Sequence, residues 1–379
     1  MTIRVPAVAW QRASTAGDPL LVFAVLALGA VGLLSLEGAV RSSGNAGGEV
    51  LRHAALLGVG LLVLVVTARI DYRVWRPLAG PLYVGGLALL MVVLVAGSEE
   101  FGARRWVVVA GYSLQPSELA KLTTIIATAA WISNREPTLR AFLVALGALA
   151  LCAGLVLAEP DLGGGLLLVA AWMALMVAWP LSPRALGTIA TAALAVVPMA
   201  FALAVPAYQR ERLAVFFDPG RDPLGSGFTL RQVEVALAEG GLTGRGLDAT
   251  GSALAGIATR GSDFALAQLG EQFGAVGALF VLAAYGVIAW RGFAIAERAP
   301  DRFGALLAAG LTALVVVQAT LHVAVNVRMF PATGIPLPLV SLGGSSLVAT
   351  CAAAGLLLSI ATRSRTDPFE RWSEAPRRH

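Results

Sequence analysis

Long runs without a charged side chain alternate with short polar segments along the whole chain. Nine charge-free windows cover residues 19–36, 53–68, 77–98, 141–158, 162–183, 185–209, 272–290, 303–327 and 329–362. An α-helix rises about 1.5 Å per residue and the hydrocarbon layer is about 30 Å thick, so about 20 apolar residues span it. The pattern therefore predicts nine membrane-spanning helices.

A tenth apolar run is shorter. Residues 122–134 are free of charge but too few to span a membrane, unless the helix also includes Glu118 and Lys121. We predict such a helix, the fourth of ten, and an even number puts both termini on one side. With an inside N-terminus, cytoplasmic segments hold more than half of the 28 Lys and Arg residues. Short outer loops are then poor in arginine, so both termini are expected in the cytoplasm.

One polar stretch is much longer than the other connections. Helices 1–7 are expected within 18–205, a large extracellular loop at 206–266, helices 8–10 within 267–362, and a cytoplasmic tail at 363–379. All of these belong to a single membrane domain, residues 1–379.

The predicted loop contains a helical pattern of its own. Thr229 and Gln232 have the spacing of a capping box, and Leu230, Val233 and Leu237 follow on one face. This pattern predicts an amphipathic helix on the outer surface of the membrane. A surface helix packed on the bundle explains it equally well.

Composition agrees with the window pattern. Hydrophobic residues make up 57% of the chain and charged residues 13%, whereas soluble domains are about a quarter charged. A soluble multidomain enzyme and a disordered protein are excluded, and the fold class predicted is an all-α polytopic membrane protein. Basic residues are spread between the windows, so nucleic acid is not an expected partner. Cys152 and Cys351 lie in apolar runs and predict neither a disulfide framework nor a metal site.

Glu118 and Lys121 need a physical reason to lie at membrane depth. An ionisable residue there costs about 2.5–3.5 kcal/mol on insertion scales, so it normally faces protein or a wet cavity. Lys121 is also the only lysine in the chain. The pair is either a structural ion pair or the wall of a cavity that meets an anionic head group.

Polar residues just before this helix extend the cluster. Arg104, Arg105 and Trp106 are expected at the outer interface of the membrane. Pro116 predicts a helix start, with Ser117 as a candidate cap. The free N–H groups of that start would suit a phosphate.

Three further clusters fall on the same predicted side. Glu159 and Asp161 lie between helices five and six, and Asp263 ends the long loop shortly before Glu271. Asp263 is either a helix cap or a general base in a membrane-embedded cleft. The third cluster is the irregular segment 326–346, with three prolines within eight residues. Irregular backbone at membrane depth needs protein or a wet cavity beside it, so one outward-facing cavity is expected to gather the clusters.

Six motifs occur here in the order of one known family. GARRW, QPSELAKL, EPDLG, DPGRDPLGSGFTLRQ with GGLTGRGL, SDF followed by Glu271, and PATGIPLPLVSLGGSS resemble those of the SEDS (shape, elongation, division and sporulation) proteins, typified by RodA and FtsW. The resemblance covers about residues 18–362. Gly261 and Gln272 depart from the family pattern, which commonly has a histidine and a second glutamate there. Residues 70–73 resemble the RodA branch slightly more, and Ser262 the division branch.

The resemblance implies a ten-helix peptidoglycan glycosyltransferase of the bacterial inner membrane that polymerises lipid II at the outer leaflet. It implies as partners lipid II, the nascent glycan strand, a class B penicillin-binding protein that crosslinks the product, and other elongation or division proteins. The family's essential aspartate corresponds to Asp263, its fourth-helix acid and base to Glu118 and Lys121, and a sensitive tryptophan to Trp106.

Under this hypothesis Asp263 is the catalytic residue and accepts the proton of the acceptor sugar's C4 hydroxyl. The residues predicted to bind substrate are Arg104, Trp106, Glu118, Lys121, Arg210, Arg212, Asn326 and Ser345. No metal ligand is predicted; a divalent cation, Mg²⁺ or Mn²⁺, would suit the diphosphate, although no motif specifies one. The alternatives from other classes are a lipid II flippase and a scaffold for the penicillin-binding protein. The charged clusters and the irregular segment all fall on the predicted outer side of the membrane, which favours the enzyme. A transporter needs charged residues or broken helices that its substrate can reach from both faces.

Overall fold

The computed structural model describes residues 17–41, 46–100, 103–109, 112–179, 207–247, 252–257 and 259–365, and positions 187 and 191. The α-helices in these ranges are α1 (Pro19–Arg41), α2 (Ala46–Arg69), α3 (Trp75–Ala96), α4 (Pro116–Ser133), α5 (Leu139–Ala158), α6 (Leu162–Ala178), α7 (Ala207–Phe217), α8 (Ser226–Gly240), α9 (Ala265–Glu297), α10 (Arg302–Asn326) and α11 (Gly344–Arg365). The strands are β1 (Ser98–Glu100), β2 (Ala103–Val109) and β3 (Tyr112–Leu114).

Seven of the described helices are long and apolar enough to cross a membrane: α1, α2, α3, α5, α9, α10 and α11. The protein is therefore a mostly helical, multi-pass membrane protein, as predicted. Nine of the ten predicted spans coincide with described helices. The predicted seventh span, 185–209, lies almost wholly outside the described residues, so the total of ten stays a prediction.

Burial separates central from peripheral helices. In α10 and α11, 72% and 78% of the spanning window is buried, against 22% in α2 and in α3. α10 packs on α9, α6 and α4, while α11 packs along α2. Small residues let α11 approach closely, because a Cβ on Gly355 would collide with Thr67 of α2. The core thus centres on α10 and α11, and α2 and α3 leave apolar faces for lipid.

The fourth helix includes both charged residues, as predicted. α4 begins at Pro116, with Gln115 in the N-cap position. The expectation that Ser117 caps the helix was wrong: proline fixes the helical φ one residue earlier. Within the described part of the chain, the buried Ser117 hydroxyl has no hydrogen-bond partner.

The all-α prediction was wrong for the segment between α3 and α4. There β1, β2 and β3 form an antiparallel sheet in sequence order, with Trp106 opposite Ser98 and Val107 opposite Leu114. Consecutive valines at the end of β2 favour an extended chain. A search for charge-free spans detects only helices, which is why it missed this sheet.

The predicted surface helix exists, but its start was misplaced. α8 begins at Ser226 rather than at Thr229, because the Asp222 carboxylate accepts the backbone N–H groups of Gly225 (3.0 Å) and Ser226 (2.6 Å). Leu230 and Val233 are buried, as the amphipathic pattern predicted. α8 packs on α9 rather than standing alone, which is the arrangement of a surface helix on the bundle.

A break in α9 receives the turn that follows α8. Gly274 has φ +66°, and a Cβ there would collide with the backbone of Leu242 and Gly244. The break leaves backbone carbonyl groups of α9 without their usual helical donors, and N–H groups of the turn take the place of those donors. The N–H groups of Arg245 and Gly246 donate to the carbonyl oxygens of Glu271 (2.8 Å) and Gln272 (3.0 Å). The segment 241–246 is thereby locked onto the first turns of α9, directly after Asp263.

Candidate active site

Asp263 lies in a tight turn before α9. Its N–H donates to the carbonyl oxygen of Thr259 (2.9 Å), and its own carbonyl oxygen accepts from Asn326 Nδ2 (3.1 Å). The N-cap position of α9 belongs to Phe264, and no side chain caps this end. Asp263 is therefore not the cap of α9, and the backbone bonds of its turn do not involve its carboxylate.

The proline-rich segment passes beside this carboxylate. Gly334 has φ +71°, which favours glycine, and a Cβ built there would lie 3.7 Å from Asp263 Oδ2. α10 holds the segment in place: His322 Nδ1 lies 2.8 Å from the Ile335 carbonyl oxygen, and Gln318 Nε2 donates to that of Pro336 (2.9 Å). The segment and the turn of Asp263 thus form one wall.

Two further hydrogen bonds join the proline-rich segment to the turn of Asp263. Ser341 Oγ donates to the carbonyl oxygen of Ser262 (2.7 Å), and the Leu342 N–H donates to that of Gly261 (2.8 Å). Asn326, besides holding Asp263, accepts the Ala267 N–H at its Oδ1 (3.0 Å). Its amide is engaged within the protein, an arrangement that favours positioning Asp263 over contacting substrate.

Arg105 of β2 reaches the turn between α5 and α6. Its Nε donates to the carbonyl oxygen of Glu159 (2.9 Å), and its Nη2 donates to that of Pro160. Its Nη1 lies 4.0 Å from Asp161 Oδ1. Asp161 also caps α6 by accepting the Gly164 N–H at its Oδ1 (2.9 Å). The sheet thereby fixes a guanidinium beside two carboxyl groups.

The start of α4 joins the same cluster. Gln115 N–H donates to Ser345 Oγ at the start of α11 (2.8 Å), and Gln115 Nε2 lies 3.4 Å from Asp161 Oδ2. Ser345 is buried and holds α4 and α11 together. Its predicted contact with substrate stays a prediction.

The pKa of the Asp263 carboxyl depends on burial and on neighbouring polar and charged groups. Burial raises the pKa of its carboxyl above the ordinary value, and the hydrogen bond from Ser262 and the charges of Arg212 and Arg105 act in the opposite direction. A carboxylate with a raised pKa is a stronger proton acceptor when it is ionised. Asp263 thus has the environment of a general base with two cations nearby.

Glu159 is the most secluded acid of the cluster. Its side chain is 0% exposed, and neither carboxyl oxygen has a hydrogen-bond partner among the described residues. Burial, and then the charge of Asp161, raise the pKa of Glu159 to about 8, while Arg105 opposes them. At neutral pH this carboxyl is mostly protonated.

The two arginines predicted on α7 differ in their surroundings. Arg212 is exposed, and its Nη1 lies 3.5 Å from the Ala332 carbonyl oxygen, in the segment that passes beside Asp263. Arg210 is exposed two residues earlier. Of the two, the geometry brings Arg212 to the cluster.

The remaining predicted residues lie along β2 and α4. Trp106 is half-buried in β2, and the backbone of Arg104 pairs with Glu99, while the side chain of Arg104 lies outside the described part. Lys121 Nζ lies 2.9 Å from Glu118 Oε1, and both side chains are buried. The pair is closed off in this structure, so its substrate-binding role stays a prediction.

No three His, Cys, Asp or Glu side chains come together as a metal-ligand set within the described ranges. A divalent cation held by the substrate diphosphate stays a prediction. A cavity of about 350 Å³ lined by Asp18, Arg291 and Arg298 lies at the far end of α9 and shares no residue with this cluster.

Comparisons with known proteins bear on this cluster as a whole. Residues 18–366 match the family profile of the cell cycle proteins FtsW, RodA and SpoVE. The chain belongs to this family.

Curated relatives come from both branches of the FtsW/RodA/SpoVE family. The chain is 35% identical to peptidoglycan glycosyltransferase MrdB of Escherichia coli K12 over 92% of this chain and 94% of that protein. It is 33% identical to a probable peptidoglycan glycosyltransferase FtsW of Trichlorobacter lovleyi, over 82% and 83% of the two chains.

Solved structures agree in fold. A chain from a structure titled for a peptidoglycan synthase complex that coordinates polymerization and crosslinking is 31% identical, covers 92% of this chain and 99% of that chain, and superposes with a TM-score of 0.77. The rod shape determining protein RodA of Thermus thermophilus is 30% identical, covers 91% and 96% of the two chains, and gives a TM-score of 0.67. The FtsW/RodA/SpoVE fold therefore extends over nearly the whole chain.

The sequence pattern predicted Arg104 of the GARRW motif as a substrate-binding residue. It did not predict Arg105, Gln115 or Asp161 as site residues. Motif membership singled out all three segments. Which side chain of each reaches Asp263 or the 159–161 turn depends on the sheet and on contacts across more than 40 residues.

Proposed function

We propose that the chain polymerises lipid II into glycan strands at the outer leaflet, with Asp263 as general base. The chain is a peptidoglycan glycosyltransferase, the activity named for its curated relatives. The observation that carries the assignment of the base is the Asp263 carboxylate: it does not cap α9, burial raises its pKa, and the charges of Arg105 and Arg212 act on it.

The proposed step follows from this arrangement. Asp263 accepts the proton of the acceptor sugar's C4 hydroxyl, whose oxygen attacks the anomeric carbon of the lipid-linked donor with inversion. The bond from that carbon to the diphosphate oxygen breaks, and the diphosphate leaves with the electron pair. Arg105 and Arg212 stabilise its growing negative charge, with Lys121 and Arg104 as further candidates.

The partner and membrane are part of the same proposal. We assign the chain to the bacterial inner membrane, together with a class B penicillin-binding protein that crosslinks the product. A likeness to a synthase complex that coordinates the two reactions supports this pairing. Relatives named MrdB and FtsW leave both elongation and division open, with a slight preference for elongation.

Ten spans, cytoplasmic termini and an extracellular 206–266 segment are required for Asp263 to meet an outer-leaflet substrate. Single cysteines at Ser226 and Ser364, in a Cys152→Ala/Cys351→Ala background, test this topology. A membrane-impermeant thiol reagent on intact spheroplasts should label position 226 and spare 364 until the membrane is opened. Labelling of 364 alone would refute the orientation and the proposed chemistry together.

Purified protein, alone and with its transpeptidase partner, incubated with labelled lipid II and resolved by product size, tests the function. Glycan products longer than the precursor are expected with at least one of these preparations. Transport of lipid II across vesicles without any product would instead support the flippase. A partner whose own activity rises without product from this chain would support the scaffold.

A further inference from the structure

Glu159 combines complete burial with the lack of any hydrogen-bond partner. Its side chain is 0% exposed, and both carboxyl oxygens are unpaired among the described residues. Buried polar groups are normally hydrogen-bonded, and an ionised carboxylate in such a place carries a large desolvation cost. The surroundings of Glu159 therefore suit a neutral acid.

The hydrogen bonds of Arg105 also support a neutral Glu159 carboxyl. Arg105 donates to the backbone carbonyl oxygens of Glu159 and Pro160, not to the Glu159 carboxyl. An ionised carboxylate would compete for the same guanidinium, because charge-assisted bonds are stronger than bonds to a neutral carbonyl. The titratable groups recorded near Glu159 are Arg105 from β2, Asp161 from its own turn and Cys152 from α5.

Arg105 links this acid to the reaction. Its charge also acts on Asp263, and its Nη1 lies 4.0 Å from Asp161 Oδ1. We propose that Glu159 is a positioning residue: protonated, it leaves the Arg105 guanidinium available to the substrate diphosphate, and ionised, it draws that guanidinium to itself. The change is the loss of one proton from the Glu159 carboxyl to solvent, and no other bond is made or broken.

This inference rests on the proposed function and adds a pH dependence to it. Burial raises the pKa of Glu159 to about 8, so the acid is mostly protonated at pH 7 and mostly ionised at pH 9. At an effective dielectric constant near 20, an added negative charge about 12 Å from the diphosphate weakens its binding roughly tenfold. KM for lipid II should therefore rise on the alkaline side.

The first test measures KM and kcat of the full chain with lipid II between about pH 7 and pH 9. The wild type and the control Glu136→Gln, which changes an exposed glutamate between α4 and α5, should both show a roughly tenfold rise in KM. Glu159→Gln should lose that rise, because its amide cannot ionise. A rise of the same size in Glu159→Gln, or a flat wild-type profile, would overturn the proposal.

A second test does not depend on activity. Infrared difference spectra of the wild type against Glu159→Gln should show a protonated carboxyl band at pH 7 that disappears as the pH passes about 8. Absence of that band at pH 7 would refute the proposal even in an enzyme that polymerises lipid II. Conversely, a wild type that makes no glycan would refute the proposed function, while the band still reports the state of Glu159.

Discussion

Removing the charge of Lys121 should destabilise the protein through the partner it leaves behind. In Lys121→Met the side-chain volume is nearly kept, but the Glu118 carboxylate loses the Nζ that lies 2.9 Å away. The two residues are 2% and 5% exposed, so little water can replace the lost partner. Breaking a buried pair at one end costs about 3–5 kcal/mol.

The double variant separates structure from substrate binding. In Glu118→Gln/Lys121→Met no uncompensated charge remains, and replacing a buried pair by neutral groups is often neutral for stability, so it should unfold within about 1 kcal/mol of the wild type. If Lys121 also binds the diphosphate, this stable variant should still be inactive. Arg140→Met, which removes an exposed charge at the start of α5, is the control and should change stability by less than about 0.5 kcal/mol.

Unfolding midpoints in detergent and polymerisation of labelled lipid II are the two readouts. Recovery of both stability and activity in the double variant would refute a role for Lys121 in binding substrate. A Lys121→Met single variant as stable as Arg140→Met would refute the buried ion pair itself.

Two further variants test the framework around Asp263. Gly274→Ala should destabilise the protein by about 1–3 kcal/mol, because the φ of +66° and the backbone of Gly244 both oppose a Cβ. The control Gly286→Ala, which has open space in the same helix, should be neutral or stabilising. Equal unfolding midpoints for the two variants would contradict the break in α9. Arg105→Lys keeps the charge but loses the planar fork that binds two carbonyl oxygens, so kcat/KM should fall at least about tenfold; wild-type kinetics would show that charge alone suffices.

Much of the helical framework could be predicted from the sequence, because a lipid environment leaves few options. A helix satisfies all its backbone hydrogen bonds internally, so each charge-free window that the structure describes contains a helix, although residues 329–343 at the start of the last window do not form one. The same reasoning extended α4 over Glu118 and Lys121 and placed the proline-rich segment outside any helix. It also singled out the turn that holds Asp263.

What the sequence could not provide were contacts between distant segments. Whether Arg104 or Arg105 reaches the 159–161 turn depends on the small sheet, and the sheet has no charge signal. The break at Gly274 depends on the turn after α8, which supplies the replacement hydrogen bonds. Nor does the EPDLG motif distinguish a capping acid from a buried neutral one: Asp161 caps α6, whereas Glu159 is enclosed and unpaired among the described residues.

The single-turnover rate of Asp263→Asn with labelled lipid II tests the central claim most directly. The amide keeps the shape of the side chain, and the turn is held by the backbone bonds to Thr259 and Asn326, so the fold should persist. Loss of the proton acceptor should slow polymerisation by about 10²–10⁴-fold, while Asp218→Asn, a change in an exposed loop carboxylate, should leave it unchanged. A rate for Asp263→Asn within a few-fold of the wild type, in protein that elutes normally, would contradict the role of Asp263 as the base.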